Sequence, residues 1–541
     1  MTKPTRWSEI ARTKPVQASY HGHRTACQIS KRGDSLSPRA SRAVTEATQP
    51  ATEAAKTESS KLSFFEKVGY GVGDTASNFY WQTFLNFLSY FYTDVFGLTA
   101  AATGTMFVAV RIPDTVIDPV MGVIADRTRT RWGHYRPYLL WGCLPMALMG
   151  VAMCTTPSLG PHGKLIYAYV TYGLIMLAYT FINIPYSALM GVISSNSLER
   201  TSVSSYRFVL AYGGLFMVQG LTIPMVKRFG HGNDQRGFQL AMVVYGILAI
   251  ALFLVTFFTT RERVQTAHRP GDALKDDLRD LLKNVPWVMV CFIGIFAVFF
   301  ISLRMGAILY YFKYCVVQPG HLYHFDYALL GYHFKGGLGP EALASWFMVL
   351  GTVGVIFGAA MARPLSTLLG GKRRAYIILM TIASTLTVFF YFVPLSNIPL
   401  IFVTHIAIST LFAPTSPLLW AFYADTADYS EWKTGRRATG LVFSAASFSQ
   451  KLGWAAGSSI FLWLMGYIGF QANVAQPLHV QTGIRYVMSF YPAIVGFLSA
   501  GAVLLYKLDD ITMVQIEADL KRRRPLASSG DSASLSNGAA K

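Results

Sequence analysis

Charged side chains are what this 541-residue chain lacks: Asp, Glu, Lys and Arg together make up 14% of it, where soluble domains carry about 25%. That shortage excludes an ordinary soluble fold. Acids are scarcer than bases, 28 against 47, which leaves a formal net charge of +19. In a soluble protein such an excess would point to nucleic acid. Here the Lys and Arg residues cluster between apolar runs, as the positive-inside rule describes for membrane proteins, and no nucleic-acid partner is expected. Cysteine is sparse too. Cys27, Cys143, Cys154, Cys291 and Cys315 are an odd set without paired metal spacing; they read as small hydrophobes in helix interfaces rather than a disulfide framework. Residues 1–61 are rich in Ser, Thr, Arg, Ala and Lys and lack an apolar h-region, so they read as a disordered basic arm and not as a signal peptide. No GxSxG, HExxH or Walker-type loop stands in a supporting context, and neither an enzyme nor a cofactor is expected.

Apolar residues fill the space that charge leaves. They make up 52% of the chain, mean hydropathy is +0.36, and apolar stretches recur roughly every 30–40 residues. Each is close to the ~20 residues a helix needs to cross a bilayer. Spans are expected at about 75–97, 101–125, 138–156, 165–192, 203–226 and 238–260, then at about 287–312, 343–362, 376–394, 399–423, 439–466 and 486–507. This describes an all-α membrane protein of about twelve helices. The segment 261–286, "RERVQTAHRPGDALKDDLRDLLKNVP", mixes both signs and reads as a linker with a short surface helix. It divides the spans into an N-terminal half, 62–260, and a C-terminal half, 287–507, followed by a tail at 508–541. The basic loops "DRTRTRWGHYR", "GGKRR" and "KRRR" fall on the linker's side of the membrane if both termini are cytoplasmic; "KRFGHGNDQR" is the exception. Paired six-helix halves suit a transporter whose halves rock around a midplane site.

The stretch "RIPDTVIDPVMG" then carries the chemistry. Asp114 and Asp118 stand at i and i+4, on one face of the second span, and each ionisable group inside a span costs about 2.5–3.5 kcal/mol even on the lenient insertion scale. A monovalent cation or a proton between them would relieve both that cost and their mutual repulsion. Pairing with a base such as Arg111 is the alternative. In "AYTFINIPYSAL" on the fourth span, Thr180 and Asn183 offer neutral oxygens beside the acids, and Pro185 frees the carbonyl four residues back; helix-to-helix packing is the plainer reading. On the first span Asp74 and Asn78 form a second i,i+4 pair beside Trp81. Acids next to aromatic faces hold sugars, through hydroxyl hydrogen bonds and stacked C–H faces, although Trp81 also fits an interfacial aromatic belt.

Arg207 and Lys451, on spans 5 and 11, could balance the acids; a pairing across the halves would couple cation occupancy to their relative position. Arg304 is a further candidate. At the end of span 10, Asp425, Asp428 and Glu431 recur at spacing three, followed by Arg436 and Arg437, a set able to lock the inner side by salt bridges or to lie solvated in a loop. The 313–342 outer loop holds His321, His324, Asp326 and His333 without distinctive ligand spacing.

Together "YGVGD", "FYTDVFGL", "RIPDTVIDPVMG", "DRTRTRWGHYRPY", "YTFINIPYSAL" and "ADTADYSEWKTGRRATG" resemble the glycoside–pentoside–hexuronide:cation symporters, the melibiose-permease-like branch of the major facilitator superfamily. The resemblance covers about 62–510. It implies the twelve-helix major facilitator fold, a cation site at Asp114, Asp118, Thr180 and Asn183, and sugar binding by Asp74 and Arg207, with Lys451 matching the family's helix-11 lysine. Three departures stand out. Asn183 replaces an aspartate of the melibiose permease, Ser187 replaces a tryptophan near its sugar, and Pro113 stands where many members have tryptophan. Melibiose itself is therefore not expected, and a larger or different glycoside is.

The sequence thus predicts a secondary active symporter in a bacterial inner (plasma) membrane, coupling sodium or proton entry to a sugar or glycoside by alternating access and working as a monomer in the lipid bilayer. The substrate set is Asp74, Asn78, Trp81, Asn183, Arg207 and Lys451. A carrier of lipid-like amphipathic solutes and a non-transporting membrane receptor are the rival readings.

Overall fold

The computed structural model describes residues 62–194, 197–263, 284–317, 321–329, 332–434, 439–508, 510–516, 518–520 and 522. The N-terminal arm, most of the linker, Arg436, Arg437, the tail beyond 522 and the side chains of Asp326 and His333 lie outside the described residues.

The first six spans are α1 (Phe64–Asn86), α2 (Ala100–Arg127), α3 (Arg136–Met153), α4 (Pro161–Val192), α5 (Ser197–Gly230) and α6 (Asp234–Thr259). The second six are α7 (Val285–Tyr311), α8 (Pro340–Ala360), α9 (Lys372–Phe389), α10 (Ile398–Phe412 and Thr415–Thr434), α11 (Thr439–Tyr467) and α12 (Leu478–Met488 and Phe490–Leu505). Eight of these spans are long and apolar enough by composition to cross a membrane. The other four, α1, α2, α3 and α11, have 23, 28, 18 and 29 residues. Three of those four hold polar residues of the expected cation and substrate sets, which is why they read as less apolar.

Several ends depart from the sequence expectation for identifiable reasons. α1 begins at Phe64 rather than near 75, because Ser63 accepts the Glu66 N–H at 3.2 Å and Arg263 pairs with the Glu66 carboxylate at 2.5 and 2.9 Å. Capping and charge pairing carry the helix beyond its apolar stretch. α10 breaks before Thr415, where Pro414 has no N–H to continue the ladder. α12 breaks at Ser489, and there Arg304 finds its role. Its guanidinium donates to the Met488 carbonyl at 3.2 Å, reaches Thr387 at 3.4 Å and His405 at 3.3 Å, and lies over the Phe390 ring. It meets no acid among the described residues, contrary to its candidacy as a counter-charge. The partial negative charge of a helix C-terminus accommodates a cation without one. The outer loop forms an antiparallel hairpin, β1 (Tyr323–Leu329) with β2 (Tyr332–Leu338), Tyr323 opposite Leu338.

One loop glycine is fixed by geometry. Gly133 sits at φ +113, and a Cβ there would lie 2.5 Å from the Glu262 carboxylate. That carboxylate accepts the N–H groups of His134, Tyr135 and Arg136 at 2.8, 2.8 and 3.0 Å, neutralising the start of α3. Gly133→Ala is expected to cost about 1–3 kcal/mol through backbone strain alone and to lower the melting temperature of the detergent-solubilised protein. An unchanged melting curve would contradict this.

The halves meet along two lines, α2 against α11 and α5 against α8. The hydrogen bonds joining them among the described residues run from mid-membrane, where Gln219 accepts from Thr352 at 2.7 Å, to the end where α1 and α7 terminate. There Tyr90 bonds Glu341 at 3.3 Å. None of these bonds joins the halves at the opposite end, where α1 and α7 begin. Among the described residues the halves are thus bonded at mid-membrane and at one end.

Candidate cation and substrate site

Helical period places Asp114 and Asp118 on the face of α2 that meets α4 and α11. The Thr180 hydroxyl on α4 lies 2.8 Å from Asp114 Oδ1 and 3.3 Å from Asp118 Oδ1. From the C-terminal half, Lys451 Nζ lies 3.3 Å from Asp114 Oδ2 and also donates to Asp118 Oδ2. Each carboxylate thus turns one oxygen to a hydroxyl and the other to the same ammonium. Arg111 is occupied elsewhere. It bonds the Tyr172 hydroxyl at 2.7 Å, Ser458 Oγ at 2.8 Å and the Trp454 carbonyl at 3.2 Å. The base that meets the acids is therefore Lys451, not Arg111. Two negative charges face one positive charge, held by a side chain of the opposite half.

Beside this cluster lies a cavity of about 480 Å³ whose wall includes Asp74, Asn78, Trp81, Asn183, Arg207 and Lys451, the whole set expected to bind substrate. Arg207 grips Asp74 through two contacts, 3.0 and 3.4 Å, with its guanidinium over the Tyr186 ring. Such a fork-on-carboxylate pair is rigid, yet it leaves lone pairs and N–H groups for hydroxyls. Trp81 stacks on Tyr179 with ring centres 5.5 Å apart, so it serves the cavity and not an interfacial belt. Asn183 lies on the cavity wall and makes no bond to either α2 acid among the described residues. The cluster as built is Asp114, Asp118, Thr180 and Lys451. Lys451 belongs both to it and to the cavity wall.

A family model described as an MFS/sugar transport protein matches residues 69–329 and 322–510. The chain belongs to this sugar transport family. It is 38% identical over 461 residues to YagG of Escherichia coli, covering 85% of this chain and 94% of that protein, which is named for glycoside/cation symport. It is 36% identical over 446 residues to the inner membrane symporter YicJ of the same organism, covering 82% and 91%. A mutant form of the nucleoside transporter NupG superposes with a TM-score of 0.57 at 12% identity, covering 82% of this chain and 100% of that one, and so shares the major facilitator fold. The chain is a multi-pass membrane transporter of the glycoside–pentoside–hexuronide:cation group and not an enzyme.

Two further features bear on how such a sugar transporter moves. The first has no counterpart among the sequence expectations. At the bonded end, Asp94 after α1 pairs with Lys313 after α7 at 2.8 Å, the Asp94 side chain being fully buried. Tyr314 donates to the same carboxylate, Thr93 donates to its other oxygen at 2.7 Å, and Asn473 holds both the Asp94 carbonyl, at 2.6 Å, and Lys313, at 2.7 Å. Lys227 and Glu341 lie 3.9 Å apart across the same seam with the signs of the two halves reversed. Both chain segments end in a π-helical turn, Phe91–Val95 and Phe312–Val316. A motif with a single acid, "FYTDV", carries one side of this lock; nothing local in "FKYCV" names its partner.

The second is the acid set at the end of α10. Asp425 pairs with Lys372 at 2.5 Å, and Lys372 also reaches Asp510 at 3.9 Å. These contacts stay within the C-terminal half. Asp428 and Glu431 lie on the same helix.

Proposed function

We propose that this chain carries a sugar or glycoside across the bacterial inner membrane together with a sodium ion or a proton, by alternating access, with both termini cytoplasmic. The observation that carries this reading is Lys451 of one half resting on Asp114 and Asp118 of the other, at the edge of the cavity. Two acids one turn apart in hydrocarbon require positive charge. In the empty carrier the ammonium supplies it. A cation or proton arriving from solution competes for the same oxygens and frees Lys451, whose side chain then faces the cavity and can meet substrate hydroxyls. Cation and sugar thereby tighten each other's binding equally, by an amount typically ~1–3 kcal/mol. Release of Lys451 removes one of the contacts that hold α11 on α2 and so favours rocking of the halves. In this orientation the Asp94–Lys313 end is the external one and the end that holds Asp425 is the cytoplasmic one. Asp425, Asp428 and Glu431, with Arg436 and Arg437, would close that end in the opposite state.

The test is uptake by the full chain in proteoliposomes, using a panel of radiolabelled glycosides under an imposed sodium gradient, a proton gradient or neither. Accumulation of a glycoside above the external level under one gradient is expected. Binding without accumulation under either gradient would overturn symport.

A further inference from the structure

We propose that Gln450 and Trp454 of α11 form a second sugar subsite, which reads the outer ring of a two-ring glycoside and sets which glycosides are carried. This rests on the glycoside reading and extends it to substrate class. Both residues line the 480 Å³ cavity, with Lys451 between them in sequence, and their i,i+4 spacing puts them on one helix face. Their polar groups are unspent. Among the described residues no ring packs on Trp454, its indole N–H has no acceptor, and the Gln450 amide has no partner. The N-terminal wall differs in ring cover and in its amides. Trp81 is covered by Tyr179, the Asn78 amide donates to the Asp74 carbonyl at 2.8 Å, and Gln82 donates to Asn78 at 3.1 Å.

An open aromatic face beside a free amide is suited to a pyranose, whose C–H face stacks on the ring while its hydroxyls meet the amide. Asp74 and Arg207 offer a charged site for another ring on the opposite wall. At about 480 Å³ the cavity has volume for a ligand of two linked rings. The α11 backbone at Trp454 is fixed: its carbonyl accepts from Arg111 of the N-terminal half at 3.2 Å and from Ser302 at 3.3 Å.

The experiment compares the methyl glycoside of a transported hexose with its two-ring counterpart, a phenyl or hexosyl glycoside of the same sugar. Wild-type, Trp454→Ala, Trp454→Phe and Gln450→Ala proteins are assayed in proteoliposomes for KM and maximal rate. Trp454→Ala is expected to raise KM for the two-ring substrate about tenfold and to leave the methyl glycoside within about twofold. Trp454→Phe is expected to recover most of the loss, since a ring face returns. An equal rise for both substrates, or a fall in maximal rate alone, would assign Trp454 a structural role and overturn the subsite. Unchanged KM values in a transporting protein would do the same. If the wild type moves neither substrate, the parent glycoside reading fails, and that result is distinguishable from a failure of the subsite.

Discussion

Asp118→Asn is expected to reduce concentrative uptake to simple equilibration while solute exchange across the membrane continues. One positive charge moving down 100 mV releases about 2.3 kcal/mol, enough for roughly 50-fold accumulation of a co-transported sugar. That gain exists only if the cation's binding is tied to the sugar's. The substituted amide would keep the shape of the side chain and one oxygen near Thr180, but it removes the charged acceptor on which Lys451 now rests. With a single carboxylate left, Asp114, the ammonium satisfies the site by itself, and a cation gains nothing by displacing it. Asp114→Asn should act in the same direction, and more severely, because Asp114 is the more deeply buried of the two acids. The measurement is the steady-state ratio of inside to outside sugar at fixed membrane potential, alongside counterflow. Full accumulation in either variant would remove the α2 acids from the coupling step.

Lys313→Met addresses the opposite end of the cavity and should open it. The change leaves the fully buried Asp94 carboxylate without its cation, a loss of about 3–5 kcal/mol for a broken buried pair. Tyr314 and Thr93 still bond that carboxylate, so part of the cost is recovered, and the population of the state open at this end should rise by about 10–100-fold. Cys315 serves as the reporter, because it lies two residues from Lys313 and is only partly buried. In a protein whose other cysteines are replaced, a membrane-impermeant maleimide should label Cys315 faster in Lys313→Met than in the parent. Adding Asp94→Asn should slow labelling again, since a neutral pair carries no stranded charge. If labelling is the same in all three proteins, the pair does not hold the end closed.

Much of the site was legible because helical period is a local property. Asp114 and Asp118, Asp74 and Asn78, and Thr180 and Asn183 each lie within one turn, so a periodic reading puts each pair on one face before any fold is known. An acid in an apolar run also announces itself through its cost in hydrocarbon. The assignment of partners was not legible in this way. Arg111 is only three residues from Asp114, yet it turns to Tyr172 and Ser458, while Lys451 reaches the acids from 333 residues away along the chain. Gln450 and Trp454 carry no local signal that separates them from other residues of α11. What singles them out is the cavity they face, formed only when the halves come together.

The amino-acid sequence alone determined that the chain spans a membrane many times in two six-helix halves, that α2 carries a paired acid site, and which family it belongs to. Apolar length, charge scarcity and i,i+4 spacing are set by covalent order and helix geometry. Tertiary structure alone decided that Lys451 rests on those two acids, that Asp94 pairs with Lys313 across the halves, and that Arg304 bonds the end of a broken helix. Each of these joins residues whose separation along the chain is far beyond a helical turn, so only the packing of one helix on another can bring them into contact.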